Sequence, residues 1–179
     1  MQPINIPLSK KKIALLILGS MLFVVAGCWM FFFQAEQQTH FKVILVKTIG
    51  TAAMIFFGTT GIIGIQKLFD TQMGLIIDHN GITDNSSGVS VGLIEWADIT
   101  ALRTSKVMST KFILINVADP EKYINKATNF KAKILRQNFN MYGTPLSIAA
   151  NTLDFSFNDL ESLLHKAYDN YKAKFGLAQ

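Results

Sequence analysis

Two uncharged apolar runs in the first third of the chain restrict its fold more than any other feature. Residues 13–33 make 21 consecutive positions without Asp, Glu, Lys or Arg, and residues 48–66 make a second such run of 19. At about 1.5 Å of rise per residue the first is about 31 Å long as a helix, which matches a bilayer hydrocarbon core of about 30 Å. The second is expected to begin as a helix near Phe41, with Lys42 and Lys47 reaching toward the interface. A short polar connection at 34–42 makes the pair a hairpin. The expected organisation is an N-terminal segment (1–12), spans at 13–33 and 43–66, and one globular domain over 67–179, which is all that 179 residues leave room for.

Charge sets the expected orientation. Of a net charge of +5, the excess lies at Lys10, Lys11, Lys12, Lys42 and Lys47, whereas residues 67–179 carry twelve basic and eleven acidic side chains. Three lysines precede the first span and Lys67 follows the second, against two beside the connection. Lys and Arg in short flanks favour the cytoplasmic side, so both termini and the domain are expected at the cytoplasmic face of the membrane in a multi-pass protein. The near-neutral domain argues against a nucleic-acid partner.

The single cysteine, Cys28, excludes a disulfide framework. Preceded by Val25-Ala26-Gly27 it resembles a lipoprotein signal, but Trp29-Met30-Phe31-Phe32-Phe33 prolongs the apolar run past the short stretch such signals use, so Cys28 is read as a span residue. Gly50, Gly58, Gly61 and Gly64, with Thr59 and Thr60 between them, make a seam of small residues along the second span. Such seams let helices approach closely in lipid, and the expected use is closing the hairpin, with contact to another chain as the alternative.

Beyond Lys67 the pattern changes to short runs of Ile, Val, Leu and Phe between Gly, Asn, Asp and Ser, which predicts antiparallel strands. Leu75-Ile76-Ile77 leads into Asn80-Gly81, a two-residue hairpin signal, then a strand at 82–85. Further strands are predicted at 89–96, 99–104 and 112–117, and a returning strand at 146–149. Asp119-Pro120 starts a helix, on which the wheel places Lys122, Lys126, Lys133 and Arg136 on one face and Tyr123, Ala127, Phe130 and Ile134 on another; Gly143 and Pro145 end it. Ser156 with Asp159 opens a closing amphipathic helix, with Phe157, Leu160, Leu163, Leu164, Ala167, Tyr168, Tyr171 and Phe175 in its apolar stripe and Gly176 as its stop.

The expected fold is therefore a membrane α-helical hairpin plus an α+β domain, an antiparallel curled sheet capped by a C-terminal helix. Gly74-Leu75-Ile76-Ile77, the stretch 81–96 with Asp84-Asn85-Ser86-Ser87-Gly88 inside it, and Pro120-Glu121-Lys122-Tyr123-Ile124 resemble a group of small, mostly uncharacterised bacterial membrane proteins. The resemblance covers nearly the whole chain and implies two N-terminal spans followed by a pleckstrin-homology-like domain. It implies no activity, since fold alone does not supply one.

Chemical motifs are sparse. Gly88-Val89-Ser90-Val91-Gly92 matches G-x-S-x-G, with Asp154 and His165 following, but a nucleophile elbow needs a strand, a strained turn and a helix, and Ser90 is read as a strand residue and His165 as solvated. His40, His79 and His165 show no metal-ligand spacing. The Asp84–Gly88 cluster is read as a turn builder and Trp96 as a core anchor. No catalytic residue, metal or cofactor is expected. Lys122, Lys126, Lys133 and Arg136 are the candidate contact with anionic lipid headgroups, the alternative being a solvated helix face, because the stretch 122–136 has five basic residues and no acidic one. The expected function is a membrane-anchored, non-enzymatic interaction module whose domain meets lipid or an unknown membrane or cytoplasmic protein partner. The alternative is an accessory subunit of a larger membrane assembly, docked through the glycine-rich second span.

Overall fold

The computed structural model describes residues 2–34 and 40–175, with backbone only at 34, 40 and 41, and divides into two units, 10–71 and the remainder. Most of the expected connection, 35–39, and the helix stop at Gly176 lie outside the described residues.

The unit 10–71 is a pair of helices. α1 (Lys10–Trp29) continues through a π-helical turn, Met30–Gln34, and α2 spans His40–Phe69. Both are long and apolar enough to cross a membrane, and only 6% of the apolar window of α2 is buried, where the core helix of a soluble protein would be mostly buried. Leu15, Leu22, Val25, Ile55 and Phe56 stand between 64% and 70% exposed, so both helices carry large apolar side chains on their outer surface. Polar groups are satisfied inside the pair, as a hydrocarbon surrounding requires: Ser20, Thr48, Thr51, Thr59 and Thr60 donate to carbonyls one turn back. At the open end, Lys10 Nζ donates to Lys67 O at 3.1 Å and to Asp70 O, which gives acceptor groups at the end of α2 a partner. Phe23 stacks on Phe57 with centroids 4.3 Å apart, and α1 runs past Cys28, whose Sγ lies 3.3 Å from Met54 Sδ.

The second unit holds two antiparallel sheets. Strands β1 (Ile4–Ile6), β2 (Leu75–Ile77), β3 (Gly81–Asp84) and β4 (Gly92–Glu95) lie side by side in that order, and β5 (Ile99–Val107), β6 (Thr110–Val117) and β7 (Leu146–Ile148) make the second sheet, so the strands do not close into one barrel. Helices α3 (Pro120–Asn125) and α4 (Asn129–Tyr142) lie between β6 and β7 in sequence, and α5 (Phe157–Lys174) closes the chain. Alternation puts Leu75, Ile77, Ile82, Ile94, Ile113, Ile115 and Ile148 inside at 0–1% exposure, with Leu160 and Leu164 of α5 at 0%. Trp96, 2% exposed, is the core anchor: its indole donates to Asp78 O at 2.8 Å and its ring stacks against Tyr168 and Tyr171 at 6.2 and 6.0 Å. Ser156 caps α5 by accepting from Asp159 N.

Four expectations are corrected. Residues 1–12 are not a separate segment: Ile4–Ile6 pair with Leu75–Ile77 and Leu8 bridges Leu153, so the first sheet contains strands from both sides of the hairpin. Asn80-Gly81 is not a two-residue loop, since Ile77 pairs with Ile82 and Gly81 already pairs with Glu95 as part of β3. Residues 89–91 fall outside β4, which removes Ser90 from a strand and leaves Trp96 in a 3₁₀ turn, Trp96–Asp98. The helix expected from Pro120 is two helices. Asp119 caps α3 by accepting from Glu121 N and Lys122 N, and the chain then breaks at Thr128, extended at ψ 156, to start α4. Thr-Asn is itself an N-cap signal, which a single wheel through the stretch passes over.

Candidate functional site

The break divides the basic stretch between α3 and α4, and acidic groups distant in sequence neutralise part of it. Lys122 Nζ lies 2.9 Å from Glu95 Oε1 and 2.6 Å from Asp98 Oδ2. Tyr123 donates to the same Asp98 oxygen at 2.6 Å and accepts from Glu95 N at 3.3 Å, which ties α3 to the end of β4. Burial pushes the Asp98 carboxyl up, but hydrogen bonds from Lys122 and Tyr123 outweigh it and hold it below the usual carboxylate range. The Lys122 ammonium is raised by its bonds to Asp98 and then Glu95, and the Tyr123 phenol is raised by burial and then by Asp98. Arg136 forks onto Glu121 with both contacts at 2.8 Å, and its hydrogen bond lowers the Glu121 carboxyl.

The four residues expected to share one face therefore separate by role. Lys122 and Arg136 are engaged in ion pairs, whereas Lys126 and Lys133 stand exposed without a carboxylate within 4.0 Å among the described residues. Lys131, which the wheel left off that face, joins them: its Nζ donates to Ser90 O at 3.4 Å, and it has no carboxylate partner there either. Phe130, expected on the apolar face, is instead 67% exposed between these lysines in sequence, and Leu135 takes the buried position. The acidic partners Glu95 and Asp98 lie more than 20 residues upstream, so no local pattern announces them.

Ser90 gives no sign of a nucleophile elbow. Its hydroxyl accepts from Ser87 N at 2.9 Å and meets Ser87 Oγ at 3.1 Å, and the element that follows is β4, not a helix. Asp84 builds a turn by accepting from Ser86 N at 2.8 Å. Among the described residues no three His, Cys, Asp or Glu side chains gather in a way that would hold a metal.

In the hairpin the glycines of α2 differ from one another. A Cβ at Gly50 would come within 2.8 Å of Gly27 O, a backbone atom, and one at Gly64 within 2.8 Å of Ile17 Cγ1. Gly61 has room, with Ser20 Cβ at 3.6 Å, and Gly58 meets nothing within 4 Å. Gly27 of α1, which the sequence reading did not single out, is the partner that makes the close crossing. Gly58 and Gly61 instead border an apolar recess of about 380 Å³ lined also by Ile17, Ser20, Val24 and Phe57.

Comparison of the chain with protein-family models, with curated proteins and with solved structures returns no match.

Proposed function

We propose that this chain is a membrane-anchored, non-enzymatic interaction module, with the helix pair spanning the inner membrane and a pleckstrin-homology-like domain at the cytoplasmic face. Two sheets of four and three antiparallel strands followed by a closing helix support that reading of the domain. The lysines before α1 and at Lys67 support the orientation. The observation that carries the function is the start of α4: exposed Phe130 accompanied by Lys126, Lys131 and Lys133, none of which has a carboxylate partner among the described residues. An aromatic ring that enters the headgroup layer beside lysines that meet anionic lipid is a recurrent interfacial arrangement.

The test is amide exchange on the full chain in nanodiscs. Residues 126–133 should be protected in phosphatidylserine-containing bilayers and not in pure phosphatidylcholine. Changing Lys126, Lys131 and Lys133 together to Gln should weaken the contact by about 3 kcal/mol, at about 1 kcal/mol per lysine, or roughly hundredfold. Lys122→Gln and Arg136→Gln, which remove ion pairs inside the domain, should leave it in place. Equal protection in both bilayers would refute the contact with anionic lipid.

The second reading, an accessory subunit docked through α2, is favoured by one observation, the open recess at Gly58. Gly58→Leu projects into that recess without touching the Gly27–Gly50 crossing. It should leave the hairpin intact and remove a partner that co-purifies from native membranes after mild crosslinking; an unchanged set of co-purifying proteins refutes this docking mode.

A further inference from the structure

A half-enclosed recess of about 200 Å³ lies where the loop before β4 meets the junction of α3 and α4, lined by Ser90, Tyr123, Lys126, Thr128 and Lys131 among others. A single water needs roughly 10–15 Å³ of such space, so the recess has room for a small ligand with its hydration. We infer that it is a binding site for a phosphate monoester group, gripped by Lys126 and Lys131. This rests on the proposed function only where the phosphate belongs to a lipid; a soluble phosphate would use the same groups.

Two features of the recess ask for an anion. Both lysines that line it lack a carboxylate partner among the described residues, while Lys122 and Arg136 nearby in the chain are each engaged by acids. Asp98, which feels the charge of Lys126 through space, is already bonded to Lys122 and Tyr123. Lys131 spends one donor on Ser90 O at 3.4 Å, and an ammonium has three.

The position of Lys131 is the second feature. It stands in the first turn of a 14-residue helix whose first turn contains no acidic residue. A cation there opposes the helix dipole, and an anion in the recess reverses that penalty. Thr128 makes no side-chain cap hydrogen bond, and the first intrahelical bond is Ala132 N to Thr128 O at 2.8 Å, so the amides of Asn129, Phe130 and Lys131 precede the hydrogen-bond ladder. A phosphate monoester brings nearly two charges and three acceptor oxygens, which suits two ammonium groups better than a carboxylate or a phosphodiester does.

The experiment uses the full chain in phosphatidylcholine nanodiscs, with inorganic phosphate as the probe and backbone amide resonances of residues 129–131 as the readout. Saturable shifts are expected. Lys126→Gln or Lys131→Gln should each weaken binding roughly tenfold, the equivalent of one charge-assisted hydrogen bond, without moving the melting transition, because neither lysine is in an ion pair. Lys133, which does not line the recess, is the control: Lys133→Gln should leave phosphate affinity unchanged while lowering attraction to phosphatidylserine bilayers. Phosphatidic acid nanodiscs that reproduce the shifts without added phosphate assign the site to a lipid headgroup; shifts produced by inorganic phosphate alone assign it to a soluble phosphate. Absence of saturable shifts with both probes, or a loss at Lys133→Gln equal to that at Lys131→Gln, overturns the site. Protection by phosphatidylserine in that event leaves the bilayer contact standing and removes the recess alone.

Discussion

Joining Ser9 to Gln72 through a flexible Gly/Ser linker, with residues 10–71 removed, is expected to give a soluble domain that unfolds cooperatively, while a chain that simply begins at Gln72 is expected to aggregate or remain partly unfolded. The difference between the two is β1 and the residues that follow it. Ile6 and Leu8 are 2% and 6% exposed, and Leu8 packs so near Gly74 that a Cβ there would lie 3.0 Å from it. Burying two such side chains contributes about 3–6 kcal/mol in all, a large part of the roughly 5–15 kcal/mol that holds a domain folded. Losing the segment also strips β2 of its partner along Ile4–Ile77, Asn5–Ile76 and Ile6–Leu75, leaving a bare strand edge that templates association. Sedimentation and urea unfolding distinguish the outcomes. If the chain starting at Gln72 were monomeric with the same midpoint as the joined form, β1 would be an appendage and not part of the fold.

Gly81→Ala is expected to be the most damaging single-methyl change in the domain. A Cβ at Gly81 would sit 2.0 Å from Ile94 O, 2.9 Å from Ile94 C and 3.0 Å from Glu95 Cα, all backbone atoms that no rotamer change can move. The Gly81–Glu95 pairing must open to admit it, and with it the approach of β3 to β4 that carries Trp96 N–H to Asn80 O at 3.1 Å. The cost should reach about 3 kcal/mol or more, lowering the melting temperature by roughly 10 °C or more. Gly92→Ala is the comparison: Gly92 has φ +77 but nothing within 4 Å of a new Cβ, so the penalty is conformational alone, at about 1–2 kcal/mol. Equal effects at the two positions would mean that backbone conformation, and not the closeness of β4, explains Gly81.

The glycine at 81 illustrates how far local pattern reaches. Asn80-Gly81 correctly marks a reversal between two strands, because turn chemistry is a property of adjacent residues. It misplaces the turn by putting Gly81 inside it, since the need for glycine comes from β4, more than ten residues away. The basic stretch shows the same division. Asp119, Pro120 and Gly143 mark a start and an end, but the wheel drawn between them crosses Thr128, and its four-residue face dissolves once Glu95, Asp98 and Glu121 claim Lys122 and Arg136. What remains without an acidic partner among the described residues, Lys126, Lys131 and Lys133 beside exposed Phe130, is visible only after those partners are known.

Hydropathy and periodicity alone were enough for the two long apolar helices, for most of the strands after Leu75, and for α5 with its Ser156 cap and its Leu160, Leu164 and Ala167 stripe. Each of these depends on residues within a few turns of one another. Three-dimensional packing alone decided that Ile4–Ile6 cross 60 or more residues to join β2, that Gly50 and not Gly58 meets Gly27, and which lysines lack an ion-pair partner among the described residues. Those outcomes turn on contacts between segments far apart in the chain, and a contact of that kind leaves no periodic trace in the residues on either side of it.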